Sequence, residues 1–225
     1  MNIHVDAKTA PAVQLDESGA EGLSKGERTR ERLLDLAYES VIRKGFAATS
    51  IEELVEAVGI TKSGFFYHFR DKNDLALNML ERYFAGNGRE MDQLAARATE
   101  LIEDPLHAYL AYLKLWAELL GVIAVERPGC IVAVVAFQER AFDPAVRNRN
   151  RDGVLAWRAR TRQWLDRIAE TYPPQAEVDI DALSDTMTAL GIGGLAISQA
   201  VKEPHAAQRQ VLLYRELVRQ IFQPR

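Results

Sequence analysis

The stretch that decides the fold is Ser50–Leu75, SIEELVEAVGITKSGFFYHFRDKNDL. It reads as two short helices joined by a tight turn and followed at once by the cap of a third. Ser50 is placed to cap the first helix, and Glu53, three residues on, completes the pattern of a capping box. Ile51, Leu54, Val55 and Val58 fall at i, i+3, i+4 and i+7, which is one apolar helical face. Gly59 supplies the turn, Ile60 plugs back toward the core, and Thr61 caps a second helix running from Lys62 through Tyr67. That second helix is poor in acidic residues and dense in small, basic and aromatic ones. A helix of this composition fits a DNA major groove without its charge repelling the phosphates. The pattern is that of a helix-turn-helix.

Around this stretch the composition is that of an ordinary globular chain. Of 225 residues, 48% are hydrophobic and 27% charged, enough for one large helical domain or a small domain on a larger one. The formal net charge of −4 argues against a general nucleic-acid binder but not against a local reading head. Between Thr61 and Lys72 stand Lys62, Arg70 and Lys72 against Asp71 alone, with His68 as a further donor. Phosphate attraction decays over a Debye length of about 8 Å at physiological salt, so the local sign outweighs the total. The single cysteine, Cys130, excludes an intramolecular disulfide framework and fits a reducing cytoplasm. Zinc-type Cys/His spacing is absent, so neither metal nor other cofactor is expected. The longest uninterrupted apolar run, Cys130–Phe137, is far short of a membrane span, and the N-terminus lacks the basic start and apolar stretch of a secretory signal.

Along the chain, residues 1–23 show no period and read as a solvated, disordered tail. A helix is expected from Ser24, with Leu33, Ala37 and Val41 on one face, ended by Gly45 as a left-handed cap, with Phe46 tucking into the core. Residues 24–70 thus form a three-helix reader, with Arg28 near its start in reach of a phosphate. The remainder, 71–225, is expected to be a larger helical domain. Asp71 caps its first helix, which Gly86-Asn87-Gly88 ends or bends. Asp104-Pro105 and Asp143-Pro144 open further helices, and two more span roughly 179–202 and 204–222. The segment Cys130–Phe137 is ambiguous between strand and helix by period alone, and its helical surroundings favour a buried helix. The glycines of Leu190-Gly191-Ile192-Gly193-Gly194-Leu195 cost about 1 kcal/mol each against alanine inside a helix. Close helix approach is the expected compensation, and it suggests self-association through a four-helix bundle involving Gly191, Gly194, Leu195, Leu213 and Leu217.

The run Gly59–Lys72, with Gly45-Phe46 and Thr49-Ser50-Ile51 before it, resembles the DNA-binding domain of the TetR/AcrR family of transcriptional regulators. The specific match covers roughly a quarter of the chain, more than the glycine turn of a generic helix-turn-helix. The resemblance implies an all-α dimer that binds a palindromic double-stranded operator and is released by a small-molecule effector. It places Lys62, Ser63 and Gly64 at the tip facing base edges, and Tyr67, His68, Lys72 and Thr49 at phosphates, with Thr61 counted among the DNA-binding residues. Phe65 and Phe69 match core positions. Phe66 stands where many members have tyrosine, so a hydroxyl contact to phosphate is lost there.

For the effector, the resemblance implies a mostly apolar cavity among the later helices. Candidate lining residues are Trp116, Leu120, Cys130, Phe137, Gln138, Trp157, Trp164 and Met187, each of which is equally acceptable as plain core. The tryptophans point to an apolar or aromatic effector. Gly129-Cys130-Ile131 is similar to a segment in a branch of the family that includes electrophile-sensing repressors. Cys130 is then either a sensing thiol, its pKa lowered by Arg127 or a helix start, or a buried inert side chain. The rival reading is a helical small-molecule-binding protein or enzyme that does not use DNA. Against it, the sequence offers no nucleophile–base pair and no phosphate loop, since Gly191-Ile192-Gly193-Gly194 lies inside a helix pattern.

Overall fold

A computed structural model describes residues 22–126 and 129–222. Residues 1–21 of the expected tail, and the Arg127-Pro128 break, lie outside the described residues. Among the described residues all regular structure is helical, in nine α-helices and one short 3-10 turn. They are α1 (Lys25–Lys44), α2 (Ile51–Val58), α3 (Lys62–His68), α4 (Lys72–Leu101) and α5 (Pro105–Glu126). After these come α6 (Ile131–Phe137), the 3-10 turn Glu139–Ala141, α7 (Pro144–Thr171), α8 (Ile180–Val201) and α9 (Ala206–Phe222).

The chain divides into two compact units, and the division differs from a cut at 70/71. The first unit runs through Asn87 and also takes in Ile131–Arg151; the second comprises Gly88–Cys130 and the chain from Asp152. The physical reason is packing of the later segment on the reader. α6 lies on α1, burying Ile131, Val132 and Val135, and the Phe142 ring stacks on Phe46 with centroids 4.2 Å apart. Inside the unit, Leu33, Leu34, Ala37 and Val41 of α1, Leu54 of α2, Phe65 and Phe69, and Leu75, Met79 and Leu80 of α4 are all buried.

Helix starts follow local caps. Ser24 and Glu27 form a complete capping box, with Glu27 N–H donating to Ser24 Oγ at 3.2 Å and Ser24 N–H to Glu27 Oε2 at 2.7 Å. The capping box expected at Ser50 is only half made. Ser50 Oγ accepts from Glu53 N–H at 3.2 Å, but the Glu53 carboxylate turns to Lys44 and Arg43 at the end of α1. Two cations there are a stronger lure than one backbone amide. Gly45 has the expected positive φ of 85°, but its ψ of 162° is extended, so it is not a left-handed cap. Gly86 and Gly88 do not end α4, which is continuous from Lys72 to Leu101. Phe84 and Met91, buried on either side of them, tie the helix down through that turn.

The second unit is built on α5, α8 and α9. α5 and α8 have the length and apolar composition of membrane spans, yet Tyr109, Leu113 and Ala117 of α5 are buried inside the chain. Tyr214 Oη donates to the Leu183 carbonyl at 3.0 Å, and Arg215 Nε to the Leu110 carbonyl at 2.9 Å, pinning α9 to both neighbours. Of the three glycines of α8, Gly191 and Gly194 lie at close approaches inside the chain, whereas Gly193 has nothing within 4 Å of an added Cβ. A Cβ on Gly191 would stand 2.9 Å from Trp116, and one on Gly194 2.9 Å from the Ala207 Cα, while Leu195 is also buried. These three residues are spent within one chain.

Candidate nucleic-acid interface

The turn between α2 and α3 forms as its sequence dictates. Gly59 is in the left-handed region (φ 77°, ψ 38°), and its N–H bonds back to Val55 at 2.9 Å. Thr61 caps α3, accepting from Gly64 N–H at 3.2 Å. Phe65 is fully buried and Phe69 almost so, their centroids 5.6 Å apart, which clamps α3 to the core and leaves its opposite face to solvent. That face presents Lys62, Ser63, Phe66 and Tyr67, the last 83% exposed.

Each residue assigned to DNA has a definite place. Thr61, Lys62 and Ser63 lie exposed at the tip of α3. Gly64 turns inward, its Cα direction facing Ile60 and Thr61, so an added Cβ would touch the Ile60 side chain at 3.5 Å. Lys62 is paired with Glu52 of α2, and that ammonium, chiefly by hydrogen bonding, holds the Glu52 carboxyl below its ordinary range. Arg28 is exposed, with its guanidinium donating to the Leu23 carbonyl at 2.5 Å.

Thr49 is the correction. It is 2% exposed, its hydroxyl donates to the Gly45 carbonyl at 3.1 Å, and it sits 3.0 Å from Ser40 Oγ. A hydroxyl used to close the α1–α2 loop is not offered to a phosphate. Lys72 is partly drawn in as well. Its Nζ lies 4.3 Å from the Phe46 ring centroid and donates to the Ala47 carbonyl at 3.4 Å. Burial, then the nearby Lys44, lower its pKa. His68 is half-buried, and desolvation followed by the charge of Arg30 lowers its pKa, which favours the neutral ring. Arg30 in turn lies 5.2 Å from the Phe69 ring centroid and bonds Asn78 Oδ1 at 2.5 Å.

The residues assigned to an effector do not form one lining. Phe137 and Gln138 belong to the first unit. Phe137 is 87% exposed, and Gln138 Oε1 accepts the Phe46 N–H at 3.2 Å, so neither is the pocket residue expected. Trp116, Leu120 and Met187 are buried in the second unit and Trp157 is half-buried. Trp164 stacks on Tyr109 and Tyr112 with centroids 5.3 and 5.8 Å away. It also borders a groove of about 260 Å³ with Ala95, Ala96, Thr99, Arg160, Gln163 and Arg167. Cys130 is a buried thiol outside any disulfide. Of the residues assigned to a dimer contact, Leu213 and Leu217 are 65% and 42% exposed. Ile197 and Val201 on α8, which the sequence reading did not single out, are 46% and 53% exposed at the same i, i+4 spacing. Their signal was there, as two large aliphatics one turn apart beyond the glycines.

Comparison with known proteins places this geometry. A profile described as "Bacterial regulatory proteins, tetR family" matches residues 33–79. The HTH-type transcriptional regulator AcrR of Shigella flexneri is 35% identical over 51 residues, 23% of this chain and 24% of AcrR's own length. The chain thus matches only about a quarter of that relative. The transcriptional regulator AcuR of Cereibacter sphaeroides is 26% identical over 168 residues, 73% of each chain. A TetR transcriptional regulator from Chloroflexus aurantiacus superposes with a TM-score of 0.71 at 25% identity, over 88% of this chain and 98% of that one. With the capped, glycine-turned α2–α3 pair at the centre of the matched segment, residues 33–79 carry the helix-turn-helix segment described for bacterial regulatory proteins of the tetR family, and the chain shares the fold of a solved TetR regulator.

Proposed function

We propose that the protein is a cytoplasmic transcriptional repressor that binds a palindromic DNA operator as a homodimer and is released by a small molecule. The observation that carries this reading is the exposed face of α3. Lys62, Ser63 and Tyr67 project from a helix that Phe65 and Phe69 hold rigidly to the core. In this reading Lys62 and Ser63 read base edges, while Tyr67, His68, Lys72 and Arg28 grip the backbone. Two such heads, one from each subunit, enter successive major grooves.

The dimer contact is assigned to Ile197 and Val201 of α8 with Leu213 and Leu217 of α9, whose exposure supports it. The effector is assigned to the second unit, where Trp116, Trp157, Trp164 and Met187 supply apolar and aromatic surface, and its binding weakens DNA binding by linkage. The chain acts as a regulator and not as an enzyme. The test is selection from a pool of random duplexes with the purified full-length protein. An enriched palindrome is the expected result; no enrichment at low salt overturns the reading.

A further inference from the structure

The loop between α1 and α2 is held by residues that follow it far along the chain. Gln138 Oε1 accepts the Phe46 N–H at 3.2 Å, across 92 residues of sequence. The fit depends on Gly45, because a Cβ there would stand 2.8 Å from Gln138 Nε2 and 3.1 Å from Oε1. Phe142 stacks on Phe46, and Asp143 N–H donates to Asn73 Oδ1 at 3.1 Å beside Lys72. Lys72 closes on the same loop from the start of α4, over Phe46 and onto the Ala47 carbonyl. Two residues beyond Ala47 the buried Thr49 ends the loop, and Ser50 caps α2.

Phe46 is the first residue after the glycine that ends α1, and the extended ψ of Gly45 (162°) departs from the left-handed ending in which such an N–H bonds back to a carbonyl of the last turn, so this amide needs another acceptor. A local cap usually supplies one. Here the acceptor is an amide side chain from another segment, and Gln138 itself is exposed, so its contribution is a hydrogen bond rather than bulk. Losing the acceptor frees the loop that sets both the entry of α2 and the seat of the Lys72 ammonium.

We propose that Gln138 is a positioning residue for DNA binding: it fixes the α1–α2 loop, and through it Lys72 and the helix-turn-helix, without touching DNA. This rests on the DNA-binding reading above. The test uses the full-length protein with Gln138→Met, of the same length but without an acceptor, and Gln138→Glu, which keeps one. Three quantities are measured: affinity for the duplex that the wild type selects, hydrogen exchange at the Phe46 amide, and the thermal midpoint. Gln138→Met should speed Phe46 exchange and weaken duplex binding about tenfold, the scale of one backbone donor left unpaired, with little change in midpoint. Gln138→Glu should regain the exchange protection and most of the affinity. Wild-type-like affinity in Gln138→Met, or an equal loss in Gln138→Glu, overturns the proposal while leaving the DNA-binding reading standing. A wild type that retains no duplex overturns the DNA-binding reading and the proposal with it.

Discussion

A Cβ on Gly194 of α8 would meet the Ala207 Cα of α9 at 2.9 Å, backbone against side chain with nothing flexible between. Gly194→Ala therefore overpacks the second unit, at about 1–3 kcal/mol less the roughly 1 kcal/mol that alanine gains inside a helix. Gly86→Ala in α4 meets no heavy atom within 4 Å and should stabilise by about 0.5–1 kcal/mol. Chemical denaturation of both variants checks the opposite signs; a stabilised Gly194→Ala would mean that α8 and α9 are further apart than described.

On the proposed reading Lys62 meets DNA already paired with Glu52. Both side chains are more than half exposed, so the pair adds little to folding. It does hold back the tip charge. Glu52→Gln should raise affinity for non-specific duplex by a few fold and steepen the salt dependence, measured by fluorescence anisotropy over a salt series. In contrast, Lys62→Ala should alter which sequences are preferred, and Lys72→Ala should weaken all of them alike and lower the salt slope by about 1.

His68 gives two pH effects of opposite sign. Its pKa in the folded chain lies below the ordinary 6.5, so the unfolded chain binds the proton more readily. Its contribution to stability is complete above pH 6.5 and declines as pH falls through that value toward the lower, folded pKa. A phosphate beside the ring reverses this by raising the pKa in the complex. Duplex affinity should then rise on going from neutral to mildly acid pH, by at most about tenfold per pH unit for one proton. His68→Gln should be flat. Identical pH profiles for the two proteins would remove His68 from the phosphate contacts.

Leu213→Glu and Ile197→Glu place charges on the exposed aliphatic face of α9 and α8. Each should shift the protein from dimer to monomer in sedimentation at micromolar concentration with the helical circular dichroism retained. Duplex affinity should fall with the dimer. A dimer that survives both changes would move the contact elsewhere.

Cys130 tests the sensing reading directly. Its thiol is buried, so a small maleimide should label it slowly in the folded protein and at once in denaturant. Rapid labelling of the native state would favour a reactive sensor.

Much of this was legible because caps are local. Ser50, Gly59, Thr61, Asp104 and Asp143 each sit within a few residues of the groups they serve, so the helix boundaries they mark could be read from spacing. Thr49 was misassigned because its partner Ser40 lies on the preceding helix, at a separation no periodic pattern encodes. Gln138 was misassigned for the same reason on a larger scale. Gly86 and Gly88 were over-weighted as breakers because propensity is local and small, while the packing that overrides it, through Phe84 and Met91, is tertiary. In α8 the glycines announced a close neighbour, and only the fold could say that the neighbour was the same chain.

The first unit is assembled from two separated pieces of sequence, the chain through Asn87 and Ile131–Arg151. A reader of this kind is not a cassette. A chimera made by cutting after Arg70, or a fragment expressed to that point, would leave Phe46 without Phe142 and its amide without Gln138. Recombination can exchange this protein's DNA specificity with another's only at the level of the α2–α3 surface, or by carrying both pieces together.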